Sequence, residues 1–171
     1  MKTTLMIEGK KKLSLDIGYD DLANIVSNLP DSPDFEDVFY VLAEHPSATV
    51  RESIAGKDKI NKETVKILAS DSDALVTRAL VRSDAARDAL TTEQLIEMIK
   101  RDADIAENIA GYVDSYNNAD ADVIAVALAQ HSDPRVRNAL ASNSSTPKKV
   151  LKSLSKDGDP RVRASAKQSL A

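Results

Sequence analysis

The chain has 171 residues, of which 42% are hydrophobic and 29% are charged, with a net charge of −4 and no cysteine. This length and composition fit one soluble unit with a sizeable core. The lack of cysteine excludes disulfides, thiolate metal sites, iron–sulfur clusters and a cysteine nucleophile. No apolar run reaches the roughly 18 residues of a membrane span, and residues 1–17 lack the apolar core of a signal peptide. We therefore expect a cytoplasmic protein without a membrane partner.

Charge is distributed unevenly along the chain. Residues 129–171 contain nine lysines or arginines and three aspartates, whereas residues 1–128 contain 14 basic and 24 acidic residues. This asymmetry indicates either a surface for an acidic partner or a dipolar molecule that associates head to tail.

Residues 3–17 have the alternating pattern of a β-hairpin. Two runs of alternating apolar and polar residues flank a turn-like segment at residues 8–11. Because an isolated hairpin is marginal in water, we expect residues 1–17 to dock on the rest of the protein as an N-terminal cap. The alternative is a free edge that pairs with a partner strand, which the edge charges Lys10, Lys11 and Lys12 disfavour.

Residues 18–42 contain two helical patterns. An aspartate, Asp20 or Asp21, is predicted to cap the first helix, and Pro30 to stop it. Ser32-Pro33 is predicted to open the second helix, with serine at the N-cap and proline at the first helical position.

One pattern recurs from residue 43 to residue 171, at intervals of 26 to 31 residues. Each copy has a β-branched anchor residue, a capping residue three positions earlier and, in all but one copy, a larger apolar residue four positions later. The anchors are Val50, Val76, Ile105, Val136 and Val162; the caps are Ser47, Asp73, Asp102, Asp133 and Asp159; the later residues are Ile54, Leu80, Ile109, Leu140 and Ala166. Every copy therefore predicts one short amphipathic helix.

A second helix is predicted in each complete copy, capped by Asn61, Thr91, Asp120 and Thr146 in turn. Gly56 and Gly111 are predicted to end the first helix of their copies in a left-handed conformation. Two helices this short cannot bury their apolar faces alone, so neighbouring copies must stack. The predicted fold is all-α: an α-solenoid of about five short two-helix repeats in residues 43–171, with the N-terminal hairpin as its cap.

Residues 129–143, Ala-Gln-His-Ser-Asp-Pro-Arg-Val-Arg-Asn-Ala-Leu-Ala-Ser-Asn, resemble the leucine-rich repeat variant, a bacterial relative of HEAT-type helical repeats. Thr146-Pro147 and Val150-Leu151 extend the match, and residues 45–51 give a second one. The interval of about 26 residues fits this variant better than the roughly 40 of HEAT repeats. The resemblance implies alternating helices in a right-handed superhelix with a binding face. Some proteins of this kind carry an N-terminal iron–sulfur cluster, which a chain without cysteine cannot hold.

Three arginines, Arg51, Arg137 and Arg163, follow the anchor directly. We expect each to bond a capping aspartate or a helix end of the neighbouring copy, since HEAT-like families use Asp and Arg in this way. The alternative is a basic ladder that binds phosphates or carboxylates.

Two further arginines, Arg135 and Arg161, precede the anchor and are expected to face water. With nearby lysines they form the predicted basic patch, a candidate surface for an acidic protein. The lysines are Lys148, Lys149, Lys152, Lys156 and Lys167. Nucleic acid is the alternative ligand, which the acidic overall charge and the absence of tryptophan disfavour.

The third copy departs most from the pattern, because its turn is longer and contains Tyr112 and Tyr116. Insertions in repeat proteins often lie on the binding side, and tyrosine is a frequent interface anchor. Both tyrosines are therefore candidate contact residues. The alternative is a tolerated insertion whose tyrosines cover a defect in stacking.

Catalytic patterns are weak in this sequence. His45 and His131 occupy the same repeat position three copies apart, too far to share a metal ion. Helix capping already explains the paired carboxylates, which are Asp71 with Asp73 and Asp102 with Asp104. HEAT-like DNA glycosylases use aromatic residues around a catalytic aspartate, and tryptophan is absent. We predict no catalytic, cofactor or metal site and a non-enzymatic protein–protein interaction scaffold; a nucleic-acid-binding helical repeat protein is the alternative.

Overall fold

The structure is a computed structural model that describes residues 3–7 and 13–171. The described residues form two strands, twelve α-helices and one 3-10 helix. The helices dominate, so the protein belongs to the all-helical class, as predicted. The chain divides into two units, Met1–Leu80 and Val81–Ala171.

The strands β1 (Thr3–Ile7) and β2 (Leu13–Ile17) pair antiparallel, with Leu5 opposite Leu15. The hydroxyl of Thr4 donates to a carboxylate oxygen of Asp16 at 3.1 Å across the pair. The turn-like segment and the edge lysines at residues 8–12 lie outside the described residues. The role of this segment as a cap stays a prediction.

Five α-helices follow in the first unit: α1 (Tyr19–Asn28), α2 (Glu36–Leu42), α3 (Ala48–Ala55), α4 (Lys62–Ala69) and α5 (Ala74–Leu80), with the 3-10 helix Pro33–Phe35 leading into α2. Alternate helices pack together, α1 on α3 and α3 on α5, while α2 contacts α3 and α4. Helix α1 therefore packs on α3, the first helix of the first copy, and α3 packs on α5, the first helix of the second copy.

The second unit contains seven helices: α6 (Asp84–Ala89), α7 (Thr92–Arg101), α8 (Ala103–Gly111), α9 (Ala121–Ala129), α10 (Pro134–Ser142), α11 (Lys148–Leu154) and α12 (Pro160–Leu170). One layer consists of α8, α10 and α12 in sequence, and the other of α7, α9 and α11. The layers meet where α7 packs on α8, α9 on α10 and α11 on α12. Helix α6 was not predicted, because six residues with three alanines show no clear apolar stripe.

The repeat anchors lie in the core, as predicted. All five are at most 2% exposed, and the residues four positions later are fully buried. Full burial of Val, Leu or Ile contributes about 1.5–3 kcal/mol per side chain, so the nine of these positions that carry such a residue contribute substantially to stability.

Most predicted helix caps are confirmed. Carboxylate oxygens of the aspartate caps accept backbone N–H groups of the first turn in α8, α9, α10 and α12. Asn61 does the same for α4, and Thr91 forms a capping box with Gln94 at the start of α7. Ser32 accepts from the N–H of Asp34, as its predicted position requires. Ser47 stands at the N-cap of α3 without a side-chain bond.

Two N-cap predictions are wrong. Pro147, not Thr146, precedes α11, and the Thr146 hydroxyl instead donates to the buried carbonyl of Leu140 at 2.6 Å. Gly18 is the N-cap of α1, so Asp20 and Asp21 lie within its first turn. Their negative charges there still stabilise the helix by interacting with the positive end of its dipole.

The glycines do not adopt the predicted left-handed conformation. Gly56 ends α3 with φ −80° and ψ 0°, and Gly111 is the last residue of α8. No glycine in the described part of the chain has a positive φ. Backbone N–H groups still close these turns: Gly56 donates to the carbonyl of Glu52, Lys57 to that of Ile54 and Tyr112 to that of Ile109.

Candidate interaction surface

Arg51 binds a carboxylate in the next copy of the repeat. Its Nε and Nη2 atoms donate to the two carboxylate oxygens of Asp71 at 2.6 and 3.0 Å, and its Nη1 donates to the carbonyls of His45 and Pro46 at 2.7 and 3.2 Å. The hydrogen bond that Arg51 donates to Asp71 raises the pKa of the Arg51 guanidinium. Arg51 therefore joins the loop before α3 to the loop before α5, which is the first helix of the next copy.

Arg137 repeats this arrangement in the second unit. Its Nε and Nη2 donate to Asp157 at 2.7 and 3.0 Å, while Nη1 donates to the carbonyls of His131 and Ser132 at 2.7 and 3.0 Å. The pair is shielded, with Arg137 16% and Asp157 9% exposed. The bond from Arg137 lowers the pKa of Asp157. The structural interpretation of these arginines is supported, but the acceptor is not the capping aspartate that the sequence predicted.

The acceptor stands two positions before the cap, in the position that also contains His45 and His131. There Asp71 and Asp157 accept the backbone N–H two residues later at 2.9 and 2.8 Å. The Nδ1 atoms of His45 and His131 accept the equivalent N–H at 3.1 Å in both cases. The two histidines therefore order turns, and an aspartate at this position can additionally bind an arginine.

A second recurring contact was missed by the sequence analysis. Seven positions after the anchor, Lys57, Asn143 and Ser169 donate to carbonyls at the C-terminal end of the preceding first helix. The donors differ chemically, so no residue-type pattern marks them. Only their shared distance from the anchor connects them.

Arg135 and Arg161 are exposed, as predicted, but each already has a carboxylate partner. Arg135 is 52% exposed and pairs with Asp133 at 2.9 Å and with Asp104 and Glu107 at 3.3 and 3.4 Å. Arg161 is 72% exposed and pairs with Asp159 at 3.0 Å. A ligand that binds either arginine must compete with these carboxylates.

The lysines of the predicted basic patch differ from the arginines in this respect. Lys148, Lys149 and Lys152 are exposed on α11, and no carboxylate pairs with them among residues 3–7 and 13–171. Lys156 and Lys167 are exposed as well. Three neighbouring lysines on α11 are therefore exposed without a carboxylate partner in the described residues.

Arg135 and the start of α11 lie towards opposite ends of α10. Arg135 lies in the first turn of α10, whereas α11 starts after the turn at residues 143–147 that follows the other end of α10. A nine-residue helix is about 13 Å long, so the first turn of α11 lies about one helix length from Arg135. Lys148 and Lys149 are thus separated from Arg135, whereas Lys156 lies in the turn that leads to Arg161 at the start of α12.

One of these lysines, Lys149, lines an apolar groove between α9 and α11 that has a volume of about 380 Å³. Val126, Ala129, Pro147 and Val150 supply its apolar lining, and its polar lining consists of Asp122, Gln130, Lys149 and Ser153. Val126 is 49% exposed, which is unusual for a valine on a helix made almost entirely of apolar residues. The sequence does not reveal this groove, because Val126 cannot be distinguished there from the other apolar residues of α9.

The two candidate tyrosines have different environments. Tyr112 is 48% exposed and lies beside Arg87, whose guanidinium carbon is 5.0 Å from the ring centre. Tyr116 is only 3% exposed and donates its hydroxyl to the carbonyl of Val81 at 3.2 Å. Tyr116 is therefore a core residue, which corrects its assignment as a contact residue, while Tyr112 keeps an accessible ring.

The loop that contains Tyr116 is attached to α6 by hydrogen bonds. The N–H of Asn117 donates to the carbonyl of Arg87 at 2.8 Å, and its side-chain amide donates to Asp88 at 2.6 Å. Asn118 also donates to the carbonyl of Asp88. The longer turn of the third copy thus packs against the short helix, as the alternative interpretation of the insertion expected.

Comparison of the chain with protein-family models, with curated proteins and with solved structures found no match. No helix in the described ranges is both long and apolar enough to cross a membrane. Within the same ranges, no group of three or more His, Asp and Glu side chains is placed to hold a metal ion.

Proposed function

We propose that the protein is a non-enzymatic protein–protein interaction scaffold of the α-solenoid type, related to HEAT-like repeats and the leucine-rich repeat variant. Its ligand is a segment of another protein that combines apolar and acidic side chains. The observation that carries this proposal is the mostly apolar groove between α9 and α11, whose lining includes Lys149 on a helix with two further exposed lysines, Lys148 and Lys152.

The groove fits such a segment chemically. Val126 and Val150 offer apolar area that is removed from water when a ligand side chain covers it. Lys148, Lys149 and Lys152 attract carboxylates without first breaking an internal ion pair, which makes their charge more available than that of Arg135. An apolar segment flanked by Asp or Glu satisfies both features.

The groups that resemble catalytic residues have other roles, which supports a non-enzymatic protein. The Nδ1 atoms of His45 and His131 accept backbone N–H groups. Asp71 and Asp157 bind arginines, and Asp102 caps α8.

Nucleic acid is the second candidate ligand, because the same lysines suit phosphates. The apolar lining of the groove and the pairing of Arg135 and Arg161 with carboxylates favour the protein ligand. A phosphate backbone would leave Val126 uncovered and would compete for arginines that are already bonded.

Affinity capture with crosslinking tests the proposal. We expect the full chain to capture a partner whose crosslinks map to α9 and α11. Reversing the lysine charges (Lys148→Glu, Lys149→Glu and Lys152→Glu together) and, separately, Val126→Asp should each reduce capture at least about tenfold. The matched control is Lys62→Glu with Lys66→Glu, two exposed lysines of α4 in the other unit, which should capture as well as the wild type.

The nucleic-acid alternative has its own measurement. Fluorescence anisotropy with random-sequence duplex DNA at about 50 mM salt should show no binding. DNA binding that weakens steeply with salt, depends on the α11 lysines and survives Val126→Asp would overturn the proposal in favour of the alternative. A partner captured equally well by wild type and both groove variants would also overturn it.

A further inference from the structure

Helix α2 presents an apolar ridge to solvent. Its other side is anchored by Phe39, which is fully buried. Val38 and Val41 are 41% and 69% exposed, and Tyr40 beside them is 45% exposed. Residues three apart on a helix are neighbours on its surface, so the two valines form one continuous ridge. A contiguous exposed apolar surface of this kind is typical of an interaction site.

Acidic residues surround this ridge. Residues 31–50 contain five aspartates or glutamates and no lysine or arginine. Asp37 precedes Val38 directly, Glu44 follows Val41 by three residues, and both carboxylates are exposed. Neither of them has an ion-pair partner in the described part of the chain. The surface of α2 is therefore apolar at its centre and negative around it.

The groove between α9 and α11 has the complementary character. Its lining is mostly apolar, and residues 138–156 contain four lysines and no aspartate or glutamate. Helix α9 has nine residues and is about 13 Å long, which exceeds the length of a ridge made of two valines one turn apart. Asp122 also lines the groove, at the start of α9, so an acidic ligand is expected to turn its carboxylates towards α11.

A helix suits this groove better than an extended strand. The groove is lined by side chains of two helices, whose backbone groups are already hydrogen-bonded within each helix. A ligand in such a groove must satisfy its own backbone N–H and C=O groups, which a helix does and an extended segment does not. The ridge of α2 meets this requirement without any change of conformation.

We propose that the ridge of α2 in one copy of the protein docks into the groove between α9 and α11 of a second copy. Val38 and Val41 cover the apolar lining, and the carboxylates beside them pair with the lysines of α11. Because the two surfaces differ, the contact is head to tail, and each pair of copies keeps one free ridge and one free groove. The inference rests on the proposed function for the groove as a binding surface, and it assigns a second copy as a ligand of that groove.

The charge distribution along the chain favours this contact. Residues 1–128 contain 14 basic and 24 acidic residues, whereas residues 129–171 contain nine basic and three acidic ones. Opposite charges attract the α2 region of one copy to the α11 region of another, while like regions repel. A head-to-tail encounter is therefore favoured over one between two identical surfaces.

Sedimentation velocity of the full chain measures this self-association. At about 50 mM salt and protein concentrations from roughly 10 µM to 1 mM, we expect the sedimentation coefficient to rise with concentration. The expected Kd is on the order of 100 µM, the range of a small and transient contact. About 500 mM salt should weaken the association, because it screens the attraction between exposed charges.

Two substitutions each remove one side of the contact. Val41→Asp on the ridge and Val126→Asp in the groove should each weaken association at least about tenfold, because each places a charge in the apolar centre. Leu75→Asp is the matched control, since Leu75 on α5 is 54% exposed, and it should change the Kd less than about twofold. Unchanged circular dichroism and thermal midpoint establish that each variant is folded.

Mixing the two variants gives the sharpest test. Val41→Asp retains an intact groove, and Val126→Asp retains an intact ridge. An equimolar mixture should therefore form a heterodimer with about the wild-type Kd and no larger species, although each variant alone is monomeric.

Three results would overturn the inference: a wild-type chain that stays monomeric at about 1 mM, an equal loss for Leu75→Asp, or no heterodimer in the mixture. A loss in just one of Val41→Asp and Val126→Asp would assign the contact to another pair of surfaces and would overturn it as well. Val41→Asp leaves the groove intact and should still capture a foreign partner. Absence of self-association with groove-dependent capture would therefore refute this inference alone, so its failure and that of the proposed function are distinguishable.

Discussion

Arg137 and Asp157 are twenty residues apart in sequence and are joined by two nearly parallel hydrogen bonds of 2.7 and 3.0 Å. Arg51 and Asp71 have the same separation and bonds of 2.6 and 3.0 Å. Two other copies have Thr77 and Ala106 in place of the arginine. The residues that correspond to the aspartate are then Lys100 and His131, respectively. Arginine and aspartate thus occur together or not at all in adjacent complete copies.

This pair should contribute measurably to stability. A double-mutant cycle with Arg137→Ala, Asp157→Ala and the double variant is expected to give a coupling free energy of about 1–3 kcal/mol, because the bonds are charge-assisted and shielded. Urea unfolding followed by circular dichroism measures it. The exposed pair Lys100–Glu97, with a distance of 3.1 Å, is the matched control and should couple by about 0.5 kcal/mol or less. Equal coupling in both pairs would contradict the interpretation.

The cap of α12 should titrate at unusually low pH. Hydrogen bonds from the side chain and backbone N–H of Arg161 lower the pKa of Asp159 to about 2. A lowered folded-state pKa stabilises the fold above the ordinary aspartate pKa, and this contribution is lost as the pH falls towards about 2. Carboxyl-carbon NMR should find this midpoint, and Arg161→Ala should raise it. If the titration midpoint of Asp159 is the same in Arg161→Ala as in the wild type, the arginine is not the cause of the lowered pKa.

The two tyrosines of the third copy should respond differently to substitution. Tyr116→Ala removes a buried ring and should cost about 3–5 kcal/mol, while Tyr116→Phe loses only the bond to Val81, about 0.5–1.5 kcal/mol. Tyr112→Ala at the exposed position should cost about 1 kcal/mol or less. Chemical denaturation ranks the three variants, and a larger loss for Tyr112→Ala than for Tyr116→Ala would refute the core assignment.

Tyr116 should also make stability sensitive to alkaline pH. Burial raises its pKa to about 12, so the folded state retains a proton that the unfolded state loses near the ordinary tyrosine pKa. The stabilisation is complete below that ordinary value and is lost as the pH rises towards about 12. Ultraviolet titration should detect one tyrosine phenol that ionises at a higher pH than an ordinary tyrosine, and this ionisation should be absent in Tyr116→Phe.

Lys57 should act as a cap for α1. Its ammonium donates to the carbonyls of Ser27 and Leu29 at 2.9 and 2.7 Å and lies 5.8 Å from the ring centre of Phe39. Lys57→Met leaves both carbonyls without this donor and should cost about 1–3 kcal/mol. Lys59→Met, an exposed neighbour, should change the free energy of unfolding by less than about 0.5 kcal/mol. Equal effects of the two substitutions would argue against the cap.

The all-helical fold, the anchors and most caps were predictable because they depend on neighbours within one or two helical turns. Val50 and Val136 mark the apolar face of their helices, and Asp102 and Asp159 cap the turn that directly follows them. Such patterns are set by helix geometry and the unpaired N–H groups of the first turn. The aspartate twenty residues after Arg51 and Arg137 was also visible in the sequence, as a spacing that occurs twice.

The candidate sites depended on segments far apart in the chain. The packing of residues 112–118 against α6 decided which of the two tyrosines is buried. Carboxylates up to 31 residues away, such as Asp104 beside Arg135, decided which cations are paired. The sequence by itself determined where helices start and which faces are apolar, because those depend on local geometry. Only the tertiary structure decided burial, charge pairing and the groove at Val126, because each of these depends on which side chains from other helices occupy the space around a residue.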